Sequence, residues 1–156
     1  MGRRTGAVLV SLLLLLMLAV SASAAAVKMT VGVRFWRESG DKESMADSAV
    51  DTTREATLTR QPNVTFTLEL PVKQLSSMNM TGRLTGIAIG EVNYDGTLSG
   101  DLSDGTAVLT LKNLPASVLT GSDSNKALAV TCSIKMDTIL LGDISTSAKM
   151  SIWVER

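Results

Sequence analysis

Apolar and polar side chains alternate with a period of two along most of this chain. Over residues 27–35, Val27, Met29, Val31, Val33 and Phe35 share one face, and Lys28, Thr30, Gly32 and Arg34 share the other. Successive side chains of a strand point to opposite faces, so this rhythm predicts a half-buried strand. Residues 54–60 repeat it more weakly, with Ala56 and Leu58 inward. Residues 64–70 repeat it cleanly, with Val64, Phe66, Leu68 and Leu70 against Thr65, Thr67 and Glu69, up to Pro71. Residues 127–136 place Leu128, Val130, Cys132, Ile134 and Met136 together, and residues 147–155 do the same with Ala148, Met150, Ile152 and Val154.

Between these runs lie less regular stretches. Residues 78–90 predict one or two strands, with Gly82, Gly86 and Gly90 at bends or bulges. Asp95-Gly96 and Asp104-Gly105 separate the strand candidates 91–94, 97–102 and 106–111. Asp-Gly supplies the positive backbone angles of tight hairpin turns, which predicts a three-stranded meander. Residues 38–53 are polar and lose the alternation; a short helix begun at Ser44, with Asp47 three residues on, and a long loop fit equally well. Residues 137–143 carry Ile139, Leu140 and Leu141 and read as a crossover.

Eight or nine short strands, mainly antiparallel, with frequent turns and little helix describe an all-β domain. The expected architecture is a single β-sandwich, with a small closed β-barrel as the alternative.

The N-terminus departs from this pattern. Arg3 and Arg4 precede an apolar run through residues 7–20 with Leu12–Leu16 at its centre, followed by Ala22-Ser23-Ala24. That order is expected of a cleavable secretory signal peptide. The run is shorter than the roughly 20 residues a membrane-spanning helix needs. The expected organisation is therefore a signal peptide over residues 1–24 and one domain over residues 25–156. The expected location is secreted, periplasmic or cell-surface, with no stable membrane span after cleavage.

Charge and composition narrow the function. Losing Arg3 and Arg4 with the leader takes the 15 basic residues to 13 against 15 acidic ones, a formal charge of −2. No basic field is left to hold nucleic acid. Cys132 is the only cysteine, so no internal disulfide forms, and its place on an apolar strand face predicts burial. The chain has no histidine, which removes Ser-His-Asp and Cys-His catalysis and histidine-ligated zinc. No cofactor motif is present, and no pair of carboxylates stands out for hydrolysis, so the chain reads as a non-enzyme.

Three sets of residues are candidates for binding. Asp95, Asp101 and Asp104 cluster around predicted hairpin tips and supply the hard oxygens that calcium takes. Met78-Asn79-Met80 puts two thioethers on one strand face, a spacing that suits copper(I) and equally two core residues. Trp36 and Trp153 fall on the polar faces of their strands, where an indole can mark an interaction surface. Asn63-Val64-Thr65 and Asn79-Met80-Thr81 match the glycosylation sequon.

The leading expectation is an exported, non-catalytic interaction or structural module of the cell envelope or exterior. It would act on a protein partner, or self-associate by adding the strand at residues 27–35 to a neighbour's sheet edge. The alternative is an envelope protein that binds a small ligand or a metal, calcium before copper.

Overall fold

The computed structural model describes residues 25–77, 79–138, 140 and 142–156. The predicted leader, Met78, Ile139 and Leu141 lie outside the described residues. The fold is all-β, as the alternation predicts. Ten strands form one antiparallel sheet that folds over on itself as a sandwich. They are β1 (Val27–Arg37), β2 (Ala56–Arg60), β3 (Phe66–Pro71), β4 (Leu75–Ser77), β5 (Met80–Ile89), β6 (Val92–Asp95), β7 (Thr97–Ser99), β8 (Val108–Leu114), β9 (Leu128–Met136) and β10 (Asp143–Val154). The order is β4-β5-β9-β10-β1-β2-β3-β8-β7, with β6 also on β5.

The inward faces supply the core. Val31, Val33 and Phe35 of β1 pack with Leu58, Leu68, Leu70, Leu109, Leu111, Ile134, Met150 and Ile152. Cys132 lies among them with no exposed surface. Burial pushes its thiol up to about 12, which keeps it protonated and unreactive.

The meander expectation is corrected. The tight hairpin is at Gly90-Glu91, where Gly90 takes φ 60° and Ile89 pairs with Val92. At Asp95-Gly96 the chain does not reverse: β6 pairs β5, and β7 continues onward to pair β8. The segment thus passes from one edge of the sheet to the other. Gly96 permits it, because a Cβ there would lie 2.3 Å from Leu109 Cδ1. The Asp104-Gly105 turn does join a hairpin, β7 to β8.

Two further expectations fail locally. Val64 is not the first residue of a strand; it sits at φ 65° in a turn closed by Val64 N–H donating to the Gln61 carbonyl, and its side chain is exposed. Residues 137–143 connect β9 to β10 as a hairpin, not a crossover, since Asp143 pairs with Lys135.

Residues 38–53 contain a 3-10 helix, Met45–Ala49, that runs over the β1 end of the sandwich. Ser44 caps it by accepting from the Ala46 N–H, while Ala46 and Ala49 face the core. Asp47 does not complete a capping box. Its Oδ1 accepts from the Phe35 backbone N–H at 2.7 Å, and so ties the helix to β1.

Candidate functional site

The most built-up surface surrounds this 3-10 helix. The inward turns of Ala46, Asp47 and Ala49 leave Met45 half-buried and Ser48 exposed on the outer side. Beside them is an open groove of ≈ 500 Å³, lined on β1 by Arg34 and Arg37 and beyond the helix by Lys73, Ser76 and Ser77. Hydroxyls and charges dominate its walls. Val50 and Met45 are its apolar members.

The groove's charges have unequal partners. Arg34 Nη1 donates to Glu43 Oε1, and Arg34 Nε lies 4.0 Å from Asp47 Oδ2. Arg37 Nε donates to the Glu43 carbonyl at 3.3 Å. Lys73 is exposed, and among the described residues it enters no ion pair. Three cations thus face two carboxylates. Asp47 has its acidity weakened chiefly by burial, which opposes charge; the Phe35 N–H and Arg34 act the other way and are outweighed.

The outer face of β1 and β10 carries both tryptophans. Trp36 Nε1 donates to Ser151 Oγ at 2.9 Å, and the Arg34 guanidinium lies 5.7 Å from its ring centroid. Trp153 stands opposite Gly32. Both rings are half-buried, so each is neither a free surface residue nor core. The polar-face assignment fixes their side of the sheet, and neighbouring side chains cover part of each ring.

The three predicted calcium ligands do not converge. Asp95 belongs to β6, opposite Gly86. Asp101 Oδ1 accepts from Ser103 N–H and Oγ, and Asp104 Oδ1 accepts from Thr106 N–H and Oγ1. These bonds shape the turns and hold the Asp101 carboxyl below its ordinary range, the Ser103 N–H contributing most. Among the described residues no three acidic, histidine or cysteine side chains are grouped to hold an ion. Met80 is half-buried against the core; its partner in the copper pattern, Met78, is outside the described residues.

Sequence reasoning singled out neither Arg34, Arg37 and Lys73 nor the outward side of the helix. The available signal was Ser44 with its broken alternation, which marks a local element but not the cations that two other segments bring to it.

No family model matches the chain, and no curated protein matches it. Solved structures do share its fold. One is the NEAT5 domain of IsdX2, a B. anthracis hemophore, in complex with heme: TM-score 0.53, 11% identity, covering 85% of this chain and 99% of that one. A point mutant of the same domain, also in complex with heme, superposes with TM-score 0.53 at 11% identity over 85% of this chain and 98% of its own. The sandwich of this chain is thus similar to that of NEAT domains. At this identity the likeness establishes the fold.

The comparison corrects the leading functional expectation. Both structures are of one domain in complex with a small ligand, heme, and neither is described as a structural or interaction module. The small-ligand alternative is the better supported one. The sharper form, self-association through residues 27–35, loses its free strand: residues 27–31 pair with β2 and residues 31–37 with β10 of the same chain. Among the described residues no helix is long and apolar enough to cross a membrane.

Proposed function

We propose that this chain is an exported, non-enzymatic binding domain that takes a small acidic ligand in the groove beside the 3-10 helix. The observation that carries the reading is the charge of the groove: Arg34, Arg37 and Lys73 against Glu43 and Asp47, with Lys73 uncommitted to any carboxylate. A carboxylate or phosphate group would complete that set through charge-assisted hydrogen bonds, which are the stronger kind. Ser48, Ser76 and Ser77 supply hydroxyls for the rest of the ligand.

A binding role, rather than catalysis, is supported by how the groove's hydroxyls are used. Ser48 Oγ donates to the Met45 carbonyl and Ser44 Oγ accepts from a backbone N–H, so neither addresses a general base. The apolar run with small residues after it at the N-terminus supports export to the cell exterior or envelope.

The residues do not fit heme. The chain lacks histidine, and its one tyrosine, Tyr94, lies on β6 beside a different groove lined by Asn93, Thr110 and Lys112. Cys132 is fully buried and protonated. Met45 is the one soft donor at the 3-10 helix, and the polar lining offers no apolar slot for a porphyrin plane.

The test is thermal unfolding of residues 25–156 with citrate, inorganic phosphate or hemin. A ligand that binds only the native state at 100 times its Kd stabilises by about 2.7 kcal/mol. Citrate or phosphate is expected to raise the Tm saturably, and Lys73→Ala with Arg37→Ala to abolish the rise. No saturable rise with either anion, or a hemin complex with an axially ligated Soret spectrum, overturns the reading.

A further inference from the structure

A second opening lies where β1 and β2 part. Their pairing ends with Val31 opposite Ala56, and the chain ahead of β2 runs aside through residues 51–55. Farther along β1, Phe35 turns its N–H to Asp47 and its carbonyl to the Ser44 N–H. Peptide groups on a strand alternate sides, so Val33 faces the same way as Phe35. Among the described residues no strand stands opposite Val33 on that side, because β2 begins only at Ala56. The sheet therefore lacks one rung.

The gap is a cleft of ≈ 210 Å³, and Trp153 forms one wall. The indole rests over Gly32, where a Cβ would lie 2.2 Å from ring atom Cζ2. Only glycine lets the ring settle there. On the opposite wall Arg54 Nε donates to Asp51 Oδ2 at 2.7 Å, and Arg54 Nη2 donates to the carbonyls of Val72 and Ala107. Arg34, Glu55 and Glu155, with Thr52 and Thr53, complete the polar lining.

We propose that this cleft binds one six-membered sugar ring, with the ring's C–H face stacked on Trp153 and its hydroxyls bonded to Asp51, Arg34 and the open rung at Val33. Three features select that chemistry. The volume is below the roughly 300–1,000 Å³ of pockets for drug-sized molecules, so one ring fits and an extended ligand does not. Three carboxylates, Asp51, Glu55 and Glu155, face two cations, Arg34 and Arg54, so the cleft suits a ligand that donates hydroxyls and repels an anion, in contrast to the cation-rich groove. An immobile indole beside hydrogen-bonding groups suits a ligand with one apolar face and a hydroxyl rim.

The test uses residues 25–156 carrying Trp36→Phe, which leaves Trp153 as the sole indole. Its fluorescence is followed during titration with methyl β-glucopyranoside, with N-acetylglucosamine, and with glycerol as an acyclic control. A saturable change is expected with at least one sugar and not with glycerol. Trp153→Ala, read by calorimetry, should weaken the sugar at least tenfold, and Trp153→Phe less so, while phosphate binding through Lys73 stays unchanged. An equal response to glycerol, no response to either sugar, or sugar binding unaltered in both Trp153 variants overturns the proposal.

Discussion

Asp47 is an acid placed where a backbone donor needs an acceptor. Its oxygen bonds the Phe35 N–H on β1, four residues beyond the last β1–β2 pair at Val31, in a site where it is 8% exposed. Burial raises its pKa above the ordinary 3.8. The sign of the consequence follows: above 3.8 the folded state holds this proton more tightly than the unfolded one. The stability contributed by Asp47 therefore falls as pH rises from about 3.8 through the folded-state value. Asn keeps an acceptor oxygen for Phe35 and has no charge to desolvate. Asp47→Asn should be at least as stable as the parent at pH 7 and should lose this decline. Asp47→Ala leaves the Phe35 donor unmade and should cost about 1–3 kcal/mol. Urea midpoints of the three proteins at pH 4 and pH 7 check both statements; an Asn variant as destabilised as the Ala variant would contradict them.

At the scale of elements, the connection from the 3-10 helix to β2 is held by Asp51. Its carboxylate accepts from Thr53 N–H and Oγ1 and from Arg54, whose other nitrogen reaches the Val72 and Ala107 carbonyls. The Thr53 hydroxyl and then the Arg54 guanidinium hold the carboxyl at about 2. Its stabilisation is present above 3.8 and is lost as pH falls through about 2. Asp51→Asn should cost about 1.5–3 kcal/mol at pH 7, in the range of hydrogen bonds to charged groups. At pH 2 the gap to the parent should narrow markedly. Denaturant titrations at the two values decide, and a gap that persists undiminished at pH 2 would refute the role. These contacts also show what alternation reveals and what it hides. The period of two places β1, β2, β3, β9 and β10 and most of their inward residues, because those positions answer to burial; Val27 and Val154, at the ends of β1 and β10, are assigned inward and are exposed. It is blind to Asp47, Asp51 and Arg54, whose partners lie on other segments. It also misplaces Val64, whose β-branched side chain reads as strand while its φ of 65° is that of a turn.

At the scale of the molecule, one passage decides whether the sheet has open edges. β6 hydrogen-bonds to β5, and β7, directly after it, hydrogen-bonds to β8 at the far end of the strand order. A single stretch, residues 92–99, thus bridges two edges and brings the sandwich close to a closed barrel, so each architecture read from the sequence captures part of the truth. The Asp95-Gly96 pair reads as a positive-angle turn, yet Gly96 does not take a positive φ; glycine is needed there for the close approach of Leu109, which turn chemistry does not record. The candidate groove was illegible for a similar reason: Arg34, Arg37 and Lys73 meet only because Asp47 ties residues 38–53 to β1 and the Val50–Val72 bridge ties them to the chain after β3. Gly96 is the point on which the passage turns. Its N–H donates to the Thr85 carbonyl at 2.8 Å, and a side chain there would meet Leu109, which is buried. Gly96→Val should therefore cost about 1–3 kcal/mol by overpacking. It should also free the passage before the rest of the sheet, because β6 and β7 are short and mostly exposed. Amide exchange of residues 92–99 is then expected to accelerate, while β1, β9 and β10 keep their protection. Uniform loss of protection across all strands would mean that the bridge and the sandwich unfold as one unit, and that closure at Gly96 supports the core itself.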